Sequence, residues 1–116
     1  ELVALSRAAR VPVAVDASGA WLTAAVSAGP DLVRVNGEEA AGLLGRAVET
    51  PADAVAAVAE IRRRAAAAAV VSLGPAGAVA GDAAGTWHVT VPAIPMVSPI
   101  GAGDTMLAGL LSAWHR

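Results

Sequence analysis

The chain lacks cysteine, lysine, phenylalanine and tyrosine altogether. Without cysteine there is neither a disulfide nor a thiolate metal ligand, which suits a reducing cytoplasm, the expected location. All eight basic residues are arginine, so neither a Schiff base nor a Walker-type phosphate lysine can come from these residues. With three tryptophans as the only aromatic residues, the core is expected to consist of Ala, Val and Leu together with those tryptophans. Positive charge is sparse as well. The net charge is −2, and the one cluster, Arg62-Arg63-Arg64, reads as the solvated face of a helix, so no nucleic-acid partner is expected. Long apolar runs are missing too: Ala65 to Leu73 is about half of a bilayer span and Gly74-Pro75 stops it, so no membrane partner is expected. The first residues show no basic region followed by an apolar stretch, as a signal peptide would. Instead "ELVALSRAAR" reads as the later turns of a helix already under way, as if the chain began inside a larger unit.

What is present is a 116-residue sequence, 56% hydrophobic, sufficient for one domain with a modest core. "VPVAVD" (11–16) is a short buried strand followed by a turn at "ASG"; "WLTAAVSAG" then has helical apolar spacing and a Gly29-Pro30 stop. "DLVRVN" is a second strand, and "GEEAAGLLG" a two-turn helix closed by Gly45. Thr50, Pro51 and Asp53 open an Ala-rich helix predicted to run to about Ala67, with Val55, Val58 and Ile61 on one face. "AAVVSL" is a third strand, buried on both sides. "AVAG" and "TWHVTV" form a hairpin around "DAAG", and Pro92 to Pro99 is an irregular connector into a final helix. Strands alternating with helices predict parallel βαβ units, an α/β fold with a mostly parallel sheet and a small β-hairpin.

In such sheets ligands gather at the carboxyl ends of the strands. "GAGD" (101–104) opens the last helix there. Glycine lets an anion approach the free N–H groups of a helix N-terminus, and the helix dipole favours negative charge. Asp104 has two possible roles: a first-turn acid that complements the dipole, contributing about 0.3–1 kcal/mol, or a base beside an anion hole, as phosphoryl transfer requires. "NGEE" (36–39) is equally double. Asn36 and Glu39 fit a capping box, but also a phosphate contact at Asn36 and a water-mediated Mg²⁺ site at Glu39, since Mg²⁺ keeps several waters and takes few carboxylates. The glycines of "SLGPAG" (72–77) permit close ligand approach or simply a strand-to-strand turn. His88 and His115 are solitary, without metal-ligand spacing, and are expected to fill surface or strand positions.

Taken in order, "DASGAWL", "PDLVRVNGEEAAGLLG", "VVSLGPAGAV" and "SPIGAGDTMLAGLL" resemble successive blocks of the ribokinase-like (PfkB-type) carbohydrate kinases. "VNGEE" corresponds to that family's Asn-x-x-Glu motif, and the phrasing is most similar to the branch of 1-phosphofructokinase and tagatose-6-phosphate kinase. The resemblance implies a Rossmann-like, three-layer ribokinase-type fold, present in part across residues 1–116, and ATP-dependent phosphoryl transfer to a sugar or sugar phosphate. By position, Asp104 would match the catalytic base and the amides of Gly101, Ala102 and Gly103 the anion hole. Asn36 and Glu39 would match the phosphate and Mg²⁺ motif, and Ser72, Gly74 and Gly77 the nucleotide-side contacts. Two departures concern the nucleotide side: Ser98 stands where this branch often has Asn, and Pro75 interrupts the usual acidic or small turn. Family members are much longer, so the sugar pocket and lid, through which family dimers form, are expected before Glu1 and the adenine-side helices after Arg116. A homo-oligomer is therefore an open expectation. So is a truncated nucleotide-binding module with a structural or regulatory role and no turnover.

Overall fold

The computed structural model describes residues 1–64, 66–95 and 97–114; Ala65 of the alanine tract, Met96 of the connector and His115 lie outside them. The elements follow the order α1 (Leu2–Ala8), β1 (Ala14–Asp16), α2 (Gly19–Ser27), β2 (Leu32–Asn36), α3 (Gly37–Leu44), α4 (Pro51–Arg63), β3 (Ala68–Ser72), β4 (Ala78–Asp82), β5 (Gly85–Val89) and α5 (Ala102–Trp114). One 3₁₀ turn, Gly74–Ala76, joins β3 to β4.

The strands form one sheet in the order β1-β2-β3-β4-β5. The first three are parallel, and β4 and β5 form an antiparallel hairpin added to β3. This is the predicted mostly parallel α/β arrangement, and its cause lies in the connections. Helices bridge β1 to β2 and β2 to β3, long enough to return the chain in parallel, whereas short turns join the last three strands and force them antiparallel.

Local chemistry explains the element boundaries. Asn36 caps α3 and Thr50 caps α4, each in a reciprocal box with the acid three residues on, Glu39 and Asp53. Gly45 closes α3 at φ +71°, a left-handed conformation that glycine adopts without penalty. Strand β1 is shorter than predicted because Pro12 has no N–H and Val13 gives its N–H to the Asp31 carboxylate (2.8 Å), so the ladder starts at Ala14 opposite Leu32. Helix α4 stops at Arg63 and does not reach Ala67. There the sheet wins over helix propensity: Ala66 is buried, Ala67 N–H donates to Pro30 O, and Ala68 pairs with Leu32.

The core lies mainly on one face of the sheet, where Val33, Val35, Val71 and Val79 meet Leu22 and Val26 of α2, Ala40 of α3, and Ala54, Ala57, Val58 and Ile61 of α4. The buried stripe of α4 is therefore 54-57-58-61, the spacing of one helix face, and Val55 lies outside it and is exposed. The tryptophans stay out of the core as well: Trp21, Trp87 and Trp114 are 82%, 49% and 47% exposed. Leu22 and Val26 already turn the apolar side of α2 inward, which sends Trp21 outward. On the opposite face a small cluster of Leu32, Val70 and Ala78 meets Met106 and Leu110 of α5.

Candidate functional site at the carboxyl edge of the sheet

Strand register gathers the site. Asp16 lies beside Arg34 on neighbouring parallel strands, Asn36 beside Ser72, Ser72 beside Ala78, and Ala78 beside Val89. Residues up to 73 positions apart thus share one edge, the carboxyl end of the parallel strands.

Two hollows open along that edge. The larger, about 590 Å³, lies between the starts of α2 and α3 and is lined by Ser18, Gly19, Thr23, Asn36, Glu38 and Glu39, among others. Here the capping box is fully formed: the Asn36 side-chain oxygen accepts from Glu39 N–H, and Glu39 Oε2 accepts from Asn36 N–H, both at 2.8 Å. The second oxygen of Glu39 has no hydrogen-bond partner among the described residues, so capping and a water-mediated cation are compatible at this carboxylate. Among the described residues no three acids or histidines cluster closely enough to cage a metal. One carboxylate among waters fits the coordination habit of Mg²⁺.

The smaller hollow, about 220 Å³, brings together Ser72, Gly74, Gly77, Ala102 and Gly103 with Arg34 and Met106. Its wall is the first turn of α5. Gly101 adopts φ +78°, with open space where a Cβ would stand, so the chain can turn sharply into the helix. The Ala102 N–H donates to Pro99 O (3.3 Å), whereas the amides of Gly101 and Gly103 have no partner among the described residues. Asp104 follows, exposed, its carboxylate without a hydrogen bond to the described residues. Gly77 has a structural reason to be glycine. Its φ is +88°, and a Cβ would run into the Val89 carbonyl of the neighbouring strand. Gly74, at φ +56°, meets nothing within 4 Å and leaves its side of the hollow open. His88 lies away from this edge chemistry, its ring nitrogen 2.8 Å from Ala76 O.

Sequence reasoning missed Arg34. It stands within the buried strand β2, 8% exposed, with Nη1 donating to Asp16 Oδ2 (3.2 Å) and Nη2 to Ser72 Oγ (2.7 Å). Its Nε is buried with no partner among the described residues. The guanidinium lies against the start of α5: a Cβ at Gly103 would come 2.5 Å from Nη1 and 3.0 Å from Cζ and Nη2. A cation pressed against the positive end of a helix is unfavourable unless an anion joins them. The visible signal was one charge inside "LVRVN", since a residue of that type is almost never fully buried without a partner.

The family profile of pfkB family carbohydrate kinases matches residues 1–116. The 1-phosphofructokinase of Rhodobacter capsulatus is 40% identical over 117 residues, covering 97% of this chain and 36% of that enzyme. Phosphofructokinase-2 from Escherichia coli, solved in complex with substrates and products, superposes with a TM-score of 0.86 at 34% identity, over 99% of this chain and 39% of that one. The tetrameric inhibited form of the same enzyme superposes with a TM-score of 0.84 at 35% identity, over 91% of this chain and 36% of its own. The chain thus spans about a third to two fifths of the length of these three relatives.

Proposed function

Because the chain belongs to the pfkB family of carbohydrate kinases, we propose that it forms the nucleotide and catalytic part of an ATP-dependent kinase acting on a hydroxyl of a sugar or sugar phosphate, as in a 1-phosphofructokinase. The observation that carries this is the first turn of α5. Two amides without a partner among the described residues and one exposed acid stand there within a few residues, and the buried Arg34 lies against them. Such a constellation suits a phosphoryl group in flight. As the acceptor oxygen bonds to phosphorus and the bond to the departing ADP breaks, Asp104 takes the hydroxyl proton. The amides of Gly101 and Gly103, with Ala102 between them, and the Arg34 fork meet the negative charge of the transferring oxygens. Asn36 would contact the phosphate chain, Glu39 would hold Mg²⁺ through water, and Ser72, Gly74 and Gly77 would line the nucleotide side. Bound Mg²⁺ would neutralise phosphate charge; the carboxylate of Glu39, already oriented by Asn36, would keep its water shell in place.

The test is a transplant. Residues 1–116 replace the matching segment of the Rhodobacter capsulatus enzyme, and ATP-dependent phosphorylation of fructose 1-phosphate is measured. An active chimera whose turnover falls by about 10²–10⁴-fold in Asp104→Asn, with nucleotide affinity within a few-fold, is the expected result. A folded chimera that binds nucleotide but turns over nothing would favour the non-catalytic module. A variant that keeps a tenth of the turnover would return Asp104 to helix capping.

A further inference from the structure

We propose that Asp16 is a positioning residue for anion binding: with Ser72 it holds the Arg34 guanidinium beside the first turn of α5, where Arg34, Ala102 and Gly103 line the same hollow. This rests on the anion site proposed above and adds a residue to it.

Arginine carries five N–H donors in a rigid plane. Here one goes to Asp16 and one to Ser72, while Nε–H is buried without a partner among the described residues. Burying a polar donor unpaired costs free energy, and so does placing a cation at a helix N-terminus. The second cost is offset if an anion sits in the hollow that Arg34 and Gly103 line, meeting the guanidinium and the helix end at once. The fork must then be aimed. Ser72 fixes one corner, but its own hydroxyl is shared with Val35 O (3.4 Å). Asp16 fixes the other corner, from the end of the adjacent strand, with its side chain 21% exposed against 9% for Arg34. Because Asp16 and Arg34 are register partners on parallel strands, the carboxylate reaches only Nη1, and with Ser72 on Nη2 one N–H of each Nη is left for a ligand. The absence of a Cβ at Gly103 gives the plane room to lie against the helix.

Two roles for Asp16 predict opposite results. A bare counter-charge would weaken anion binding by Coulomb repulsion, so its removal would tighten binding, and only the charge would matter. For a positioning residue the reach of the acceptor matters. Asp16→Asn preserves the reach and loses the charge; Asp16→Glu preserves the charge and displaces the acceptor by one methylene. Inorganic tripolyphosphate is titrated into the transplanted enzyme described above and its two Asp16 variants, following the Arg34 Nε–H resonance by ¹⁵N NMR, with circular dichroism confirming the fold. The expected outcome is that tripolyphosphate shifts the Arg34 signal in the wild type, that Asp16→Asn binds within about twofold of it, and that Asp16→Glu binds about fivefold or more weakly. Tighter binding by Asp16→Asn, or unchanged binding by Asp16→Glu, would overturn the positioning role and leave the anion site standing. If the wild type shows neither binding nor a shift at Arg34, the anion site itself falls, and the role of Asp16 with it.

Discussion

At the scale of single residues, the glycines of this chain are not interchangeable. Gly101 supplies a positive φ, Gly77 yields to a neighbouring strand, and Gly103 gives space to an arginine. The last is the most consequential for the site, because a methyl group there would collide with the Arg34 guanidinium, which Asp16 and Ser72 hold in place. Gly103→Ala is therefore expected to push Arg34 away from Asp16 and Ser72 and to cost about 1–3 kcal/mol, the usual penalty of overpacking. Denaturant unfolding reads the loss of stability. The displaced Arg34 Nε–H resonance separates it from a general effect on α5, where alanine on its own would favour the helix. An unshifted Arg34 signal would mean that the guanidinium can move aside without cost.

At the scale of elements, the two capping boxes serve as mutual controls. Both tie an Asn or Thr to an acid three residues later, and the Asn36–Glu39 box lines the larger hollow at the sheet edge. Glu39→Gln keeps an oxygen able to accept from Asn36 N–H, so the melting temperature should move by less than about 2 °C. In the transplanted enzyme the same change should shift the Mg²⁺ dependence of activity. A lower melting temperature with an unmoved Mg²⁺ curve would assign Glu39 to capping alone. The Thr50–Asp53 box has an acid signature instead. Hydrogen bonds from the Thr50 side chain, then from the Thr50 and Glu49 N–H groups, hold the Asp53 carboxyl below its ordinary value of 3.8. A group lowered on folding adds stability above its unfolded value and loses it as pH falls through the folded one. Between about pH 5 and pH 2 the wild type should therefore lose more stability than Asp53→Asn, and above that range it should be the more stable of the two. Parallel melting curves across pH would remove Asp53 from the account.

At the scale of the whole molecule, the two faces of the sheet are unequally covered. Helices α2, α3 and α4 bury one face, while the other has α5, in which no residue is buried, and a cluster of three small or medium apolar residues. Leu2 and Leu5 of α1, Trp21, Ile94, Val97, Ile100 and Trp114 are all exposed. Large apolar side chains left exposed in this number favour association. The 116-residue chain expressed alone is expected to self-associate and to show no sugar kinase activity, because positioning catalysis needs both substrates held in line and neither hollow described above is lined by Asp104. Light scattering alongside phosphorylation assays with fructose 1-phosphate, tagatose 6-phosphate and ribose checks both statements. Robust turnover by a monodisperse monomer would refute them. Among the described residues no helix is long and apolar enough to cross a membrane.

The sequence by itself determined what depends on neighbours three or four positions apart. The two capping boxes, the left-handed stop at Gly45, the tight entry at Gly101 and the β4–β5 hairpin were all legible, because propensity, turn chemistry and short hydrogen bonds act within one turn of chain. The family blocks were legible for the same reason, as runs of adjacent residues. What only the tertiary structure decided was which distant residues meet. Arg34 reaches Asp16 across 18 positions and Ser72 across 38, and no local pattern encodes the parallel register that aligns them. The same register claimed Ala66 to Ala68 for the sheet and ended α4 early, because ladder hydrogen bonds and burial of Ala66 outweigh the small helix preference of alanine. The tryptophans went outward for a related reason: smaller side chains had already filled the space between sheet and helices, and a close-packed interior had no room for an indole.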